Sequence, residues 1–126
     1  MGTCAPPSTR AIQVFFHIGA LNAYAVKVAH LMLQAMAISG LLKHARLFVG
    51  IVGNYTAQLR LPRQAVVVAR SVDLKAYEFP TLRAVWEYSR DHPKALVLYL
   101  HTKGILPALA LAHSRCGLFR RTPQLL

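Results

Sequence analysis

The stretch Leu96-Val-Leu-Tyr-Leu-His-Thr-Lys-Gly104 decides how the rest of the chain is read. Its first half, taken back to Ala95, is an unbroken apolar run, ALVLYL. A short apolar run bounded by Pro93-Lys94 and by a polar tetrad reads as a strand covered on both faces. His101, Thr102 and Lys103 then supply an imidazole, a hydroxyl and an ammonium, and Gly104 allows close backbone approach. With backbone N–H groups beside them, these residues can converge on a phosphate or diphosphate, where Lys acts as a point charge. The competing reading of the same residues is a polar strand end with a turn glycine.

Working outward, three more runs share this texture: Ala11–Ile18 (AIQVFFHI), Arg46–Val52 (RLFVGIV) and Gln64–Arg70 (QAVVVAR). Between the first two, Asn22 is a suitable N-cap for a helix running to about Ser39, with Gly40 at its C-terminal end. Its polar residues Lys27, His30 and Gln34 fall on one narrow stripe, so the helix is mostly buried and His30 belongs to its solvated face. Gly53-Asn54 ends the second strand, and residues 54–63 read as an irregular link. After the third strand, Pro80 suits the first turn of another helix. Leu82, Val85 and Trp86 are expected to be its apolar face, with Phe79 as an anchor and Arg83 and Glu87 paired on the exposed side. His92-Pro93 stops it.

The order β-α-β-β-α-β with near-continuous apolar strands predicts an α/β fold of three layers around a mostly parallel sheet, Rossmann-like in outline. Right-handed crossovers bring the C-terminal ends of the strands to one edge. Ligands bind such sheets at that edge, where the strand order reverses. The candidate binding residues are therefore His17, Asn54, Asp73, His101, Thr102, Lys103 and Gly104. Asp73 can hold a ribose hydroxyl or a metal, or simply cap its own turn. His17 can meet a ligand or be a buried, hydrogen-bonded histidine.

Charge narrows the chemistry. The 126-residue chain carries 15 Lys and Arg against 4 Asp and Glu, a formal charge of +11. The acids Asp73, Glu78, Glu87 and Asp91 lie in one short stretch, and residues 1–72 and 92–126 contain none. Such a balance favours anionic partners. Any mechanism that uses side-chain carboxylates must draw them from residues 73–91. Spacing alone indicates no Ser-His-Asp set, paired carboxylates or metal-ligand cluster, so no catalytic residue is assigned. Gly50-Ile-Val-Gly53 is not a dinucleotide fingerprint, because a loop rather than a helix follows it. Thr102-Lys-Gly104 lacks the order of a phosphate-binding Walker loop. Cys4 and Cys116 form no C-x-x-C pair; free thiols in a reducing, cytoplasmic setting are expected, with one long-range disulfide as the alternative. No stretch reads as a transmembrane helix, since Asn22, Lys27, His30 and Gln34 interrupt Ile18–Leu42. Arg10 before Ala11–Ala20, with Ala23-Tyr-Ala25 after it, has the outline of a secretory signal, although Gln13 and His17 break the run. Residues 1–10 read as a disordered lead-in, 11–105 as the domain and 106–126 as a basic tail.

Val14-Phe-Phe-His-Ile18, Phe48-Val-Gly-Ile-Val-Gly53, Tyr77-Glu-Phe-Pro-Thr-Leu82 and Val97-Leu-Tyr-Leu-His-Thr-Lys-Gly104 together resemble a family of largely uncharacterised glycosyltransferase-like proteins. The resemblance covers about residues 11–105, and Tyr77–Leu82 and Tyr99–Gly104 are its specific pieces. It implies a GT-A-like, nucleotide-diphospho-sugar transferase fold with a nucleotide-sugar donor. Such enzymes usually carry an Asp-x-Asp after the fourth strand that holds a divalent metal, Mn or Mg, on the diphosphate. The comparable place here is His101-Thr102-Lys103, and the chain has no Asp-x-Asp. Either cations and N–H groups replace the metal, or the acidic residues lie in a C-terminal half beyond the match, and this chain is the donor-binding fragment of a transferase. The alternatives are a non-catalytic basic module that binds nucleic acid or another polyanion, and a truncated product without function.

Overall fold

The computed structural model describes residues 12–102. The expected lead-in and basic tail, both cysteines, Lys103 and Gly104 lie outside the described residues. In chain order the elements are β1 (Ile12–Gly19), α1 (Ala23–Ile38), α2 (Leu41–His44), β2 (Ala45–Val52), β3 (Val66–Ser71), a 3-10 turn (Leu74–Ala76), α3 (Phe79–Asp91) and β4 (Leu96–His101). The four strands form one sheet in the order β3-β2-β1-β4, and every pairing is parallel. Helices flank the sheet, which makes the fold a three-layer, Rossmann-like α/β architecture.

Alternation along β1 and β2 sorts the two faces. Val14, Phe16 and Ile18 of β1 stand beside Leu47, Val49 and Ile51 of β2. This face packs on Ala29, Leu33 and Met36 of α1 in one buried apolar cluster. α1 begins where Asn22 accepts a hydrogen bond from Ala25 N–H at 2.8 Å. It ends at Ser39, with Gly40 beyond it at φ 83°, a conformation that suits glycine. His30 faces out of the core and accepts from Arg60 N–H at 2.9 Å, tying α1 to the loop after β2. The run Ala11–Ala20, outlined above as a secretory signal, supplies β1, which lies inside the sheet between β2 and β4.

The opposite face carries α3 and is polar where it nears the C-terminal edge. Phe15 and Phe48 stack with ring centroids 4.8 Å apart, and Tyr88 of α3 lies against both. The next row along the strands is His17 of β1 between Gly50 of β2 and His101 of β4.

Two expectations are corrected here. The inward side of α3 is not Leu82 and Trp86 anchored by Phe79; of the expected stripe only Val85 is half-buried, on the side of Thr81 and Tyr88. Thr81 is its buried residue, while Phe79, Leu82 and Trp86 are exposed. The reason is the surface beneath: Gly50 leaves a hollow that Thr81 fills, and His17 requires a polar neighbour, so the helix turns that side inward. The second correction concerns the strands. Only β1 and β2 are covered on both faces; Val66, Val67 and Val68 of β3 and Leu96 and Leu98 of β4 are exposed, because these strands stand at the ends of the sheet order.

The connections explain the topology. β1 to β2 through α1, and β2 to β3 through residues 53–65, both step the same way across the sheet. α3 then carries the chain back past β2 and β1 to β4 on the other face. The order thus reverses between β1 and β4, and their C-terminal ends flank the switch point.

Candidate functional site

At the switch point the two strands are joined by backbone and side chain together. Thr102 N–H donates to His17 C=O at 3.1 Å, and the Thr102 hydroxyl accepts from Gly19 N–H at 2.9 Å. Thr102 is only 4% exposed. It therefore belongs to the wall of the crevice and fixes the spacing of β1 and β4.

Below it lies a polar cluster. His17, 7% exposed, shares a hydrogen bond of 2.7 Å between its Nδ1 and Thr81 Oγ1. Thr81 reaches it because Gly50, the register partner of His17, has no side chain; a Cβ there would stand 1.8 Å from Thr81 Oγ1. A glycine inside a strand often marks such a close approach. Tyr99, two residues before His101 and so on the same face of β4, donates its hydroxyl to Glu78 Oε2 at 2.5 Å.

The electrostatics follow from burial. Burial, the largest influence, holds the His17 imidazole below the usual histidine range; Glu78 acts to raise it and His101 to lower it. Burial and then the bond to Glu78 push the Tyr99 phenol well above its usual range, so it stays a donor at neutral pH. The cluster thus holds a His17 that is neutral at pH 7, a phenol that donates, and a carboxyl group that accepts from it.

The other expected residues fall at the same edge with different duties. Ala20 N–H donates to Val52 C=O and Tyr55 N–H to Ala20 C=O, so the loop after β2 is tied to the end of β1. Gly53, at φ 119°, crosses so close to Ala20 that a Cβ would meet its carbonyl oxygen at 2.2 Å. Asn54 is exposed at this corner. Asp73 is exposed as well and accepts from Lys75 N–H at 2.9 Å, capping the 3-10 turn. His17, His101 and Thr102 are therefore brought together, Asn54 lies beside them on the next loop, and Asp73 is engaged in its own turn. Sequence reasoning missed Glu78, Thr81 and Tyr99. Two signals were available: the parity of Tyr99 with His101 along β4, and an unexplained glycine inside β2.

No protein-family model, curated protein or solved structure matches this chain.

Among the described residues no group of three or more His, Cys, Asp or Glu side chains is placed to hold a metal ion. Two imidazoles, those of His17 and His101, stand at this edge on neighbouring strands. Both longer helices begin here, α1 at Ala23 and α3 at Phe79, and neither has an acid in its first turn. The partial positive end of α1 is therefore not offset locally, whereas Glu78 at the N-cap of α3 offsets that of α3. A groove of about 450 Å³ lies at the opposite edge, lined by Gln13, Arg46, Tyr88, His92, Pro93, Lys94 and Ala95. The C-terminal end of α3 meets it, so its cations oppose the negative end of a helix rather than adding to a positive one. Among the described residues no helix is long and apolar enough to cross a membrane.

Proposed function

We propose that the chain binds the diphosphate of a nucleotide sugar at the switch point between β1 and β4, as a glycosyltransferase-like donor-binding domain. The observation that carries the reading is the pairing of His17 and His101 across the two strand ends. The strand leads from there directly into Lys103 and Gly104 in sequence. His101 and Lys103 would meet the diphosphate. The resemblance through Tyr77–Leu82 and Tyr99–Gly104 points the same way.

Titration calorimetry with UDP-glucose and GDP-mannose tests it. The native chain should bind one of them, and His101→Ala and Lys103→Ala should each weaken binding roughly tenfold, the scale of one charge-assisted hydrogen bond. No heat of binding, or native affinity retained in both variants, rejects the site.

The charge of +11 favours a second reading, binding of nucleic acid as a polyanion. It predicts tight binding of single-stranded RNA with a steep salt dependence and no competition from nucleotide sugars.

A further inference from the structure

Tyr77 has an unusual backbone. It stands at φ 51°, ψ −134° and is the one non-glycine residue with positive φ among the described residues. These angles lie outside the small left-handed helical region. They match the first central position of a type II′ turn, a conformation in which glycine is at home and a bulky residue is strained. Contacts among the described residues do not account for the strain. The side chain is 67% exposed, and among the described residues no ring contact or side-chain hydrogen bond holds it. Its backbone N–H donates to Leu74 C=O and closes the 3-10 turn, a duty that any residue but proline performs.

Its position gives the strain a meaning. The next residue, Glu78, caps α3 and accepts from Tyr99, and Thr81 one turn further holds His17. A strained, exposed aromatic residue is thus one peptide bond from the polar cluster. Strain that the fold does not reward, beside a candidate site, suggests a reward from outside. An uncommitted phenol ring offers a flat π face and so suits a planar ring. Phe79, also 67% exposed, stands two residues on.

We infer that Tyr77 is the stacking platform for the base of the nucleotide whose diphosphate lies at the switch point. The inference rests on the nucleotide-sugar reading and extends it from the diphosphate to the base. Stacking depends on the π face, which every base has, so UDP and GDP should both respond.

The experiment compares the native chain, Tyr77→Gly and Tyr77→Phe with UDP, GDP and inorganic pyrophosphate by calorimetry, together with thermal unfolding. Pyrophosphate should bind all three proteins alike. The nucleotides should bind the native chain and Tyr77→Phe alike, and Tyr77→Gly roughly tenfold or more weakly. Tyr77→Gly should unfold at the same or a higher temperature, since glycine relieves the strain. Equal nucleotide affinity for Tyr77→Gly overturns the inference, and so does a lower unfolding temperature, which would make the ring a packing residue. Should pyrophosphate bind the native chain and the nucleotides gain nothing over it, the anion site stands and the role of Tyr77 falls. Should nothing bind, the nucleotide-sugar reading falls and takes this role with it.

Discussion

At the scale of single residues, the contact that organises the site is Thr81 against Gly50. It seats α3 on the sheet and holds His17 through one hydrogen bond. Gly50→Ala forces a methyl group into the Thr81 side chain and should cost about 1–3 kcal/mol, as overpacking does. Thr81→Ala leaves a buried imidazole nitrogen unpaired and should cost a similar amount, about 1–3 kcal/mol. Because the clash is chiefly with Oγ1, the double variant should lose less than the sum of the two. Urea unfolding of all four proteins measures this, and strict additivity would mean that the two residues do not share one contact. His17 makes a second prediction. Unfolded, it takes up a proton near pH 6.5; folded, burial delays this to lower pH. Between the two values the unfolded chain binds a proton that the folded chain does not, so acid favours unfolding. The contribution of His17 is whole above pH 6.5, declines below it and levels off past the folded value. The urea midpoint should fall from about pH 7.5 to about pH 5.5, and fall less in His17→Gln. Equal slopes would remove His17 as the cause. The sequence marked His17 as either a ligand contact or a buried histidine. It could not decide, because Thr81, 64 residues away, makes the difference.

At the scale of elements, boundaries were far easier to read than faces. Asn22, Gly40, Gly53, Pro80 and His92-Pro93 punctuate the chain through local backbone chemistry, and the elements begin and end close to them. The short α2 and the 3-10 turn escaped notice because single turns carry no periodicity. α3 was misjudged in orientation. Leu82, Val85 and Trp86 look like a core stripe at helical spacing, yet the sheet beneath asks for Thr81 and Tyr88, and of the three only Val85 turns partly inward beside them. Tyr88→Ala should therefore cost about 2–4 kcal/mol, since it removes the ring packed on Phe15 and Phe48. Trp86→Ala should cost about 1 kcal/mol at most, the scale of its exposed contact with the Arg90 guanidinium. Fluorescence gives an independent check. Trp86 is the single tryptophan of the chain and is 62% exposed, so its emission should be red-shifted and readily quenched by iodide. Blue, protected emission would restore the stripe as a core face.

At the scale of the whole molecule, charge and topology act separately. A chain of +11 repels itself when compact, and among the described residues two ion pairs, Arg83–Glu87 and Arg90–Asp91, use all four charged groups of α3 rather than spreading across the sheet. Raising sodium chloride from about 50 mM to about 300 mM should screen this repulsion and raise the urea midpoint. A falling midpoint would mean that the exposed ion pairs matter more than the net charge. The same balance makes every affinity for an anion depend on salt, so the binding experiments belong at one fixed ionic strength.

The sequence by itself determined the order of elements and the parallel α/β class, because turn residues and apolar runs act over a few neighbours and need no partner to be read. It also placed His17 and His101 at strand ends. Only the tertiary structure decided that these two ends meet at the reversal of strand order, that Thr102 joins them, and that Glu78 and Thr81 come to them from α3. Those contacts link residues more than 60 positions apart or depend on which side of a helix a glycine hollow selects. They arise from packing one face against another, which no local pattern encodes.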